Sequence, residues 1–254
     1  MLLGVTAAAV VGACVVPPIP QDPAYHRFAD TRPLGGAPNG WAVLSNVPFV
    51  LVGLWGLRQV LTAPVGTSAP FVDSRERWPY ALFFAGVALT GVGSTYYHWA
   101  PDNARLVWDR LPMTIGFMAL LTSIVAERVS VTVGIVLLPV LLLAGAGSVG
   151  YWRAGELSGT GDLRPYALVQ FAPAALIALM LWLFPARYTH GGYLVAVIVI
   201  YGAAKLFEIL DGAIFSMGHV LSGHTLKHLT AALAAWWLLR GLDVRRPAAA
   251  EERT

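Results

Sequence analysis

Ser94 and His98 stand four residues apart, and so do His224 and His228. Residues at that spacing share one helix face, so each pair is a two-point site if its segment is helical. Asp109 lies in a third segment, Trp108-Asp109-Arg110, where another apolar run begins. Three imidazoles around one point suit a tetrahedral zinc ion with an open fourth position, where a water can be activated. A His-x3-His pair alone is common in helices. The metal expectation rests instead on the convergence of His98, His224 and His228 near Asp109, in a chain with 6 His. The single cysteine, Cys14, excludes a multi-cysteine metal site and an intramolecular disulfide framework.

The elements that must position these residues read as membrane helices. Of 254 residues, 57% are hydrophobic and 12% charged, about half the charge of a soluble domain, which is roughly 25%. A span needs about 20 apolar residues. Apolar runs bounded by charges, Pro or Gly fall at 41–62, 78–99, 107–126, 130–150, 166–184, 191–212 and 222–241, with a shorter run at 2–16. They are continuous rather than alternating, which argues for helices over barrel strands. The expected fold is an all-α integral membrane protein, a seven-transmembrane helix bundle with an additional short N-terminal hydrophobic segment. The domain division is a hydrophobic leader or extra helix over 1–20, the seven-helix unit over 21–242 and a disordered tail over 243–254. Residues 2–16 read as a signal sequence, as a lipidated leader through Val11-Gly12-Ala13-Cys14, or as a membrane-embedded helix. In any up-and-down arrangement the end of the second span and the starts of the third and seventh lie on one side. His98, Asp109, His224 and His228 can therefore meet at one depth.

A net charge of +3 comes with no basic run longer than Arg245-Arg246, so the basic balance reads as membrane-flanking arginine and not as nucleic-acid binding. Nine arginines on one side of the seven-span arrangement face six on the other. That bias places the C-terminus in the cytoplasm and the histidine cluster near the opposite face, with a bacterial inner membrane as the expected location. Lys205, Glu208 and Asp211 form a polar stripe in the sixth span, read as internally neutralised, with Asp211 near enough to orient a ligand imidazole. His26 and His190 read as loop residues, and His219 as a possible outer partner of the site. Trp41, Trp78, Trp99, Trp108, Trp152 and Tyr166, at the ends of runs, read as an aromatic belt.

At Ser94-x3-His98, Trp108-Asp109-Arg110-Leu111-Pro112-Met113 and Gly223-His224-Thr225-Leu226-Lys227-His228 the sequence resembles the alkaline ceramidase family, seven-helix membrane amidases. The likeness extends to Asn39-Gly40-Trp41 and Leu44-Ser45-Asn46 and covers roughly residues 25–242. It implies zinc on His98, His224 and His228, a membrane lipid as substrate, and Ser94 and Asp109 close to the attacking water and the scissile carbonyl. In that scheme Asp109 accepts the water's proton and passes it to the leaving nitrogen, and Ser94 donates to the developing oxyanion. Two departures stand out. The stretch before the first span offers Asp22, Asp30 and Asn39 and no Glu, so the calcium (Ca2+) site of eukaryotic members is doubtful here. Lys227 stands where the family tends to have Trp, which puts a cation beside the metal.

The expected function is a zinc-dependent hydrolase, an intramembrane amidase acting on ceramide-like N-acyl lipids to give a fatty acid and a long-chain amine. Two other classes compete. A seven-helix receptor or sensor would keep the zinc as a structural clamp. A transporter would run ions past Lys205, Glu208 and Asp211, but the sequence shows neither symmetric halves nor broken spans. Nothing in it indicates an oligomeric state.

Overall fold

The computed structural model describes residues 1–248. In chain order the helices are α1 (Leu2–Val15), α2 (Gly40–Leu44), α3 (Val47–Thr62), α4 (Arg77–Trp99), α5 (Asn103–Arg128), α6 (Val131–Ser158), α7 (Arg164–Leu183), α8 (Gly192–Ile209), α9 (Asp211–Ser216) and α10 (Gly223–Val244), with 3-10 turns at Pro23–His26 and Ser74–Glu76. The described residues form no strand beyond isolated bridges.

Side chains start the helices that carry the site. The Asp102 carboxylate accepts from the Arg105 amide at 2.7 Å and opens α5, and Ser222 accepts from the Thr225 amide at 3.1 Å and opens α10. Each satisfies an amide that the first helical turn leaves without a partner.

Helices long and apolar enough to cross a membrane number five among the described residues: Gly40–Thr62, Asn103–Arg128, Val131–Ser158, Arg164–Leu183 and Gly192–Ile209. Two more, α4 with 23 residues and α10 with 22, have spanning length but carry the polar residues singled out above. Buried share separates centre from periphery: 67% for Asn103–Arg128, against 28% for Val131–Ser158 and 11% for Gly192–Ile209. The outward faces are apolar, with Leu143, Val199, Trp182 and Ile209 well exposed. An apolar exterior round a core that holds the polar groups is the pattern of a helical membrane protein.

α5 is the central helix, packed along α4 and α6 and also against α7, while α3 lies along α4 and α8 along α10. The main core joins Phe49, Phe83, Phe84, Leu238 and Leu239. Two glycines set the approaches that matter for the site. A Cβ on Gly93 would fall 1.8 Å from the Trp108 carbonyl oxygen, so α4 and α5 touch backbone to backbone one residue before Ser94. A Cβ on Gly223 would fall 2.2 Å from the Phe207 carbonyl oxygen, which brings the start of α10 against the end of α8.

Several expected boundaries shift. The first run breaks at Ser45–Asn46 into α2 and α3. α5 starts four residues earlier than its apolar run, which puts Asp109 and Arg110 inside the helix and not at its entry. α6 runs on to Ser158 and ends on Gly159, whose φ of 75° suits a residue without a side chain. The sixth run breaks at Leu210, so Asp211 leaves the Lys205–Glu208 stripe and opens α9. The tail boundary at 243 is too early: α10 continues to Val244, Arg245 is buried, and the Thr189 amide donates to the Arg246 carbonyl at 2.8 Å. Burial of the Arg245 guanidinium fixes this stretch, and the rest of the expected tail, 249–254, lies outside the described residues.

Candidate metal centre

α4 and α10 supply the histidines. Ring nitrogens of His98, His224 and His228, all buried, lie within 4.8 Å of one another. His224 Nε2 and His98 Nε2 face each other at 3.2 Å, and the three ring centroids are 4.7–4.8 Å apart. Among the described residues this group consists of the three histidines alone. Neutral imidazoles that turn lone pairs towards a shared point have unmet acceptor capacity, which a cation would satisfy.

The protonation of His228 follows from its neighbour. The Ser45 hydroxyl donates to the Ala42 carbonyl at 3.0 Å, and its oxygen lies 2.8 Å from His228 Nδ1. A carbonyl can only accept, so the single Ser45 proton is spent there and the Ser45 oxygen accepts from Nδ1–H. Nε2 of His228 is then left with a free lone pair, which is how a second contact prepares a histidine to bind a metal. The break between α2 and α3 puts Ser45 in this position.

The segment between α1 and α2 closes the site. Phe28 packs 4.7 Å, centroid to centroid, from both His98 and His224. The Ala29 amide donates to Asp211 Oδ2 at 3.0 Å, while Asp211 Oδ1 accepts from the His224 amide at 2.7 Å. Asp211 therefore holds the start of α10 and the covering segment through their backbones, and does not touch an imidazole. Asn39 donates to the His98 carbonyl at 3.0 Å.

Ser94 and Asp109 are 3% and 8% exposed and, with His228, line one cavity of about 420 Å3. The rest of that wall is mostly apolar, from α4, α5, α7, α8 and α10, and includes Phe117, Ile177 and Val197. Phe171 lines it while remaining half exposed on the outside of α7, and the Lys205 ammonium lies 5.7 Å from its ring. The cavity thus reaches the bundle's surface between α7 and α8. The five expected site residues share one end of the bundle.

Other residues depart from expectation. His26 is not a bare loop residue: its ring bonds the Tyr97 hydroxyl at 2.9 Å and Asn103 Oδ1 at 3.0 Å. His219 packs on Phe215 and does not join the cluster, and His190 contacts Thr189 at the surface. Trp78, Trp99 and Trp108 are exposed as a belt requires, but Trp152 and Tyr166 are buried, their rings 4.3 and 4.8 Å from the Arg110 guanidinium. Asp22 caps the Pro23–His26 turn and Asp30 pairs with Arg32. Phe28 builds the site without any sequence signal, whereas Asn39 and Ser45 fall in motifs that the sequence singles out and Asp211 in the polar stripe, though in another role.

The three imidazoles could hold one metal ion, and a donor set of this kind suits a divalent ion of borderline softness. Neither the protein-family models nor the curated protein sequences searched give a match to the chain.

Proposed function

We propose that the chain is a seven-span, zinc-dependent amidase of the alkaline ceramidase type, which hydrolyses the amide of an N-acyl lipid to a fatty acid and a long-chain amine. One observation carries this reading: three buried imidazoles converge beside an apolar cavity whose wall also presents Ser94 and Asp109. The seven spans are the five apolar helices together with α4 and α10. By the arginine bias the C-terminus is cytoplasmic and the histidine end faces the other side.

His98, His224 and His228 would hold the zinc, which supplies a Lewis acid for the carbonyl and lowers the pKa of a water towards about 7. The chain's own residues do the rest. Asp109, desolvated in the wall, accepts the proton of the attacking water and delivers it to the leaving nitrogen. Ser94, the hydroxyl neighbour of Asp109, turns its proton to the oxyanion as the carbonyl rehybridises. The apolar wall takes the acyl chain, which enters laterally between α7 and α8, and Phe28 keeps bulk water off the histidines.

Metal analysis of the purified protein with a lipid-amide hydrolysis screen by mass spectrometry tests this. About one zinc per chain is expected, and Asp109→Asn should keep the zinc while losing at least about a hundredfold in turnover. Absence of bound zinc, or full activity in His224→Ala, would refute the assignment. A structural clamp is the second reading, favoured by how little the backbones of α4 and α10, the two helices that carry the histidines, approach each other. It predicts that chelation lowers stability with no lipid turnover to lose.

A further inference from the structure

The charges in the cavity wall do not balance. Arg110, Lys205 and Lys227 line it against Asp109 and Glu208, a surplus of one positive charge before any metal is counted. Glu208 is shared, accepting from Lys227 at 3.0 Å and also from Lys205. Arg110 is 4% exposed, and its Nη2 donates to the neutral Gln21 amide oxygen at 2.6 Å and not to a carboxylate. Its other terminal nitrogen, Nη1, is buried with no partner. Tyr166 and Trp152 stack against the guanidinium and fix its plane.

A desolvated guanidinium with an unused donor is costly at membrane depth unless an anion completes it. Arginine's fork suits a carboxylate, sulfonate or phosphate better than a neutral hydroxyl headgroup. We infer that the cavity selects an N-acyl lipid whose amine half bears an acid group, with an N-acyl amino acid as the simplest case, and that Arg110 receives the acid with Lys227 and Lys205 supplying the field. Its turnover rests on the amidase reading; its binding preference does not. In the reaction the water oxygen bonds to the acyl carbon, the carbon–nitrogen bond breaks and the nitrogen takes the proton. A fatty-acid carboxylate and a free amino acid leave, with no redox partner needed.

The test compares N-palmitoylglycine with neutral N-palmitoylethanolamine on the purified full chain in detergent with zinc, reading hydrolysis by mass spectrometry and binding by the shift in melting temperature. The acidic amide should be preferred at least tenfold in kcat/KM. Arg110→Gln should cut that preference at least tenfold, Lys205→Gln, the milder change, by several-fold, and Arg110→Lys should keep part of it. A purely structural Arg110 would lower both substrates together, which overturns the proposal, as does equal or better turnover of the neutral amide. Selective stabilisation by N-palmitoylglycine, lost in Arg110→Gln, without cleavage of either compound, upholds the anion site and sinks the amidase reading. No cleavage and no stabilisation sinks both.

Discussion

The two ends of the bundle bury polar groups in opposite ways. Tyr80 and His98 lie 18 residues apart on α4, about 27 Å at the helical rise, close to the thickness of a hydrocarbon core. Near Tyr80, Arg245 is paired with Glu127, which also accepts from the Tyr80 hydroxyl at 2.7 Å. Arg187 meets Glu76 at 3.2 Å, and the Tyr188 hydroxyl donates to Glu76 at 2.6 Å. The buried Arg245, Glu127 and Glu76 each have an opposite charge beside them. Near His98 the imidazole nitrogens face one another, and Arg110 and the lysines outnumber their carboxylates. A matched buried pair needs nothing from outside, whereas an unmatched cluster is tolerated only because something else completes it. The first end is architecture, and the second is a place where a metal ion could be held.

The comparison breaks most visibly by removing one member of the matched end. Glu127→Ala leaves the Arg245 guanidinium buried without its carboxylate and should lower unfolding stability by about 3–5 kcal/mol. A thermal melt by circular dichroism in detergent should show the same loss with zinc or with chelator. Next in size, wild-type protein should melt higher with zinc than with chelator, by about 2.7 kcal/mol at a hundredfold excess over Kd, and His224→Ala should abolish that difference. A zinc-dependent melt in His224→Ala, or a zinc-dependent penalty in Glu127→Ala, would mean that the ends do not differ as described.

Ser45→Ala sharpens the same contrast within the site. Without the acceptor for Nδ1–H, His228 is free to move its proton to Nε2, and zinc affinity measured by competition with a chromogenic chelator should fall about 10- to 100-fold.

The smallest effect is in the covering segment. The hydrogen bond from Arg32 holds the Asp30 carboxyl below the usual carboxylate range. The unfolded chain therefore binds the proton first, so the pair's stabilisation is present above the ordinary carboxylate pKa of about 3.9 and is lost as pH falls through the lower folded value. Because Arg32 is half exposed, solvent screens the pair. Asp30→Asn should flatten this part of the acid melt slightly, and a steeper acid loss in the variant would contradict the assignment.

Much of this was legible in the sequence, and the remainder was hidden for identifiable reasons. The helical register of Ser94 with His98 and of His224 with His228 is a property of local spacing, which the α-helix preserves wherever it packs. What holds them is not local. Phe28 and Asn39 reach the site because the covering segment folds back over α4 and α10, and Asp211 because the chain breaks at Leu210 before α9, tertiary paths that no periodicity encodes. Arg110 and Arg245 were counted as flanking charges because arginine at the end of an apolar run usually meets water; here each is buried against aromatic rings. The polar stripe of α8 was half right. Lys205 does pair with Glu208, which Lys227 shares, while the break at Leu210 removes Asp211 to a backbone task.

Phe28 has a kinetic meaning. A ring wedged on two of the histidines and tethered through Ala29 and Asp211 must move before anything approaching from that side reaches them, so exchange through this face is timed by the covering segment.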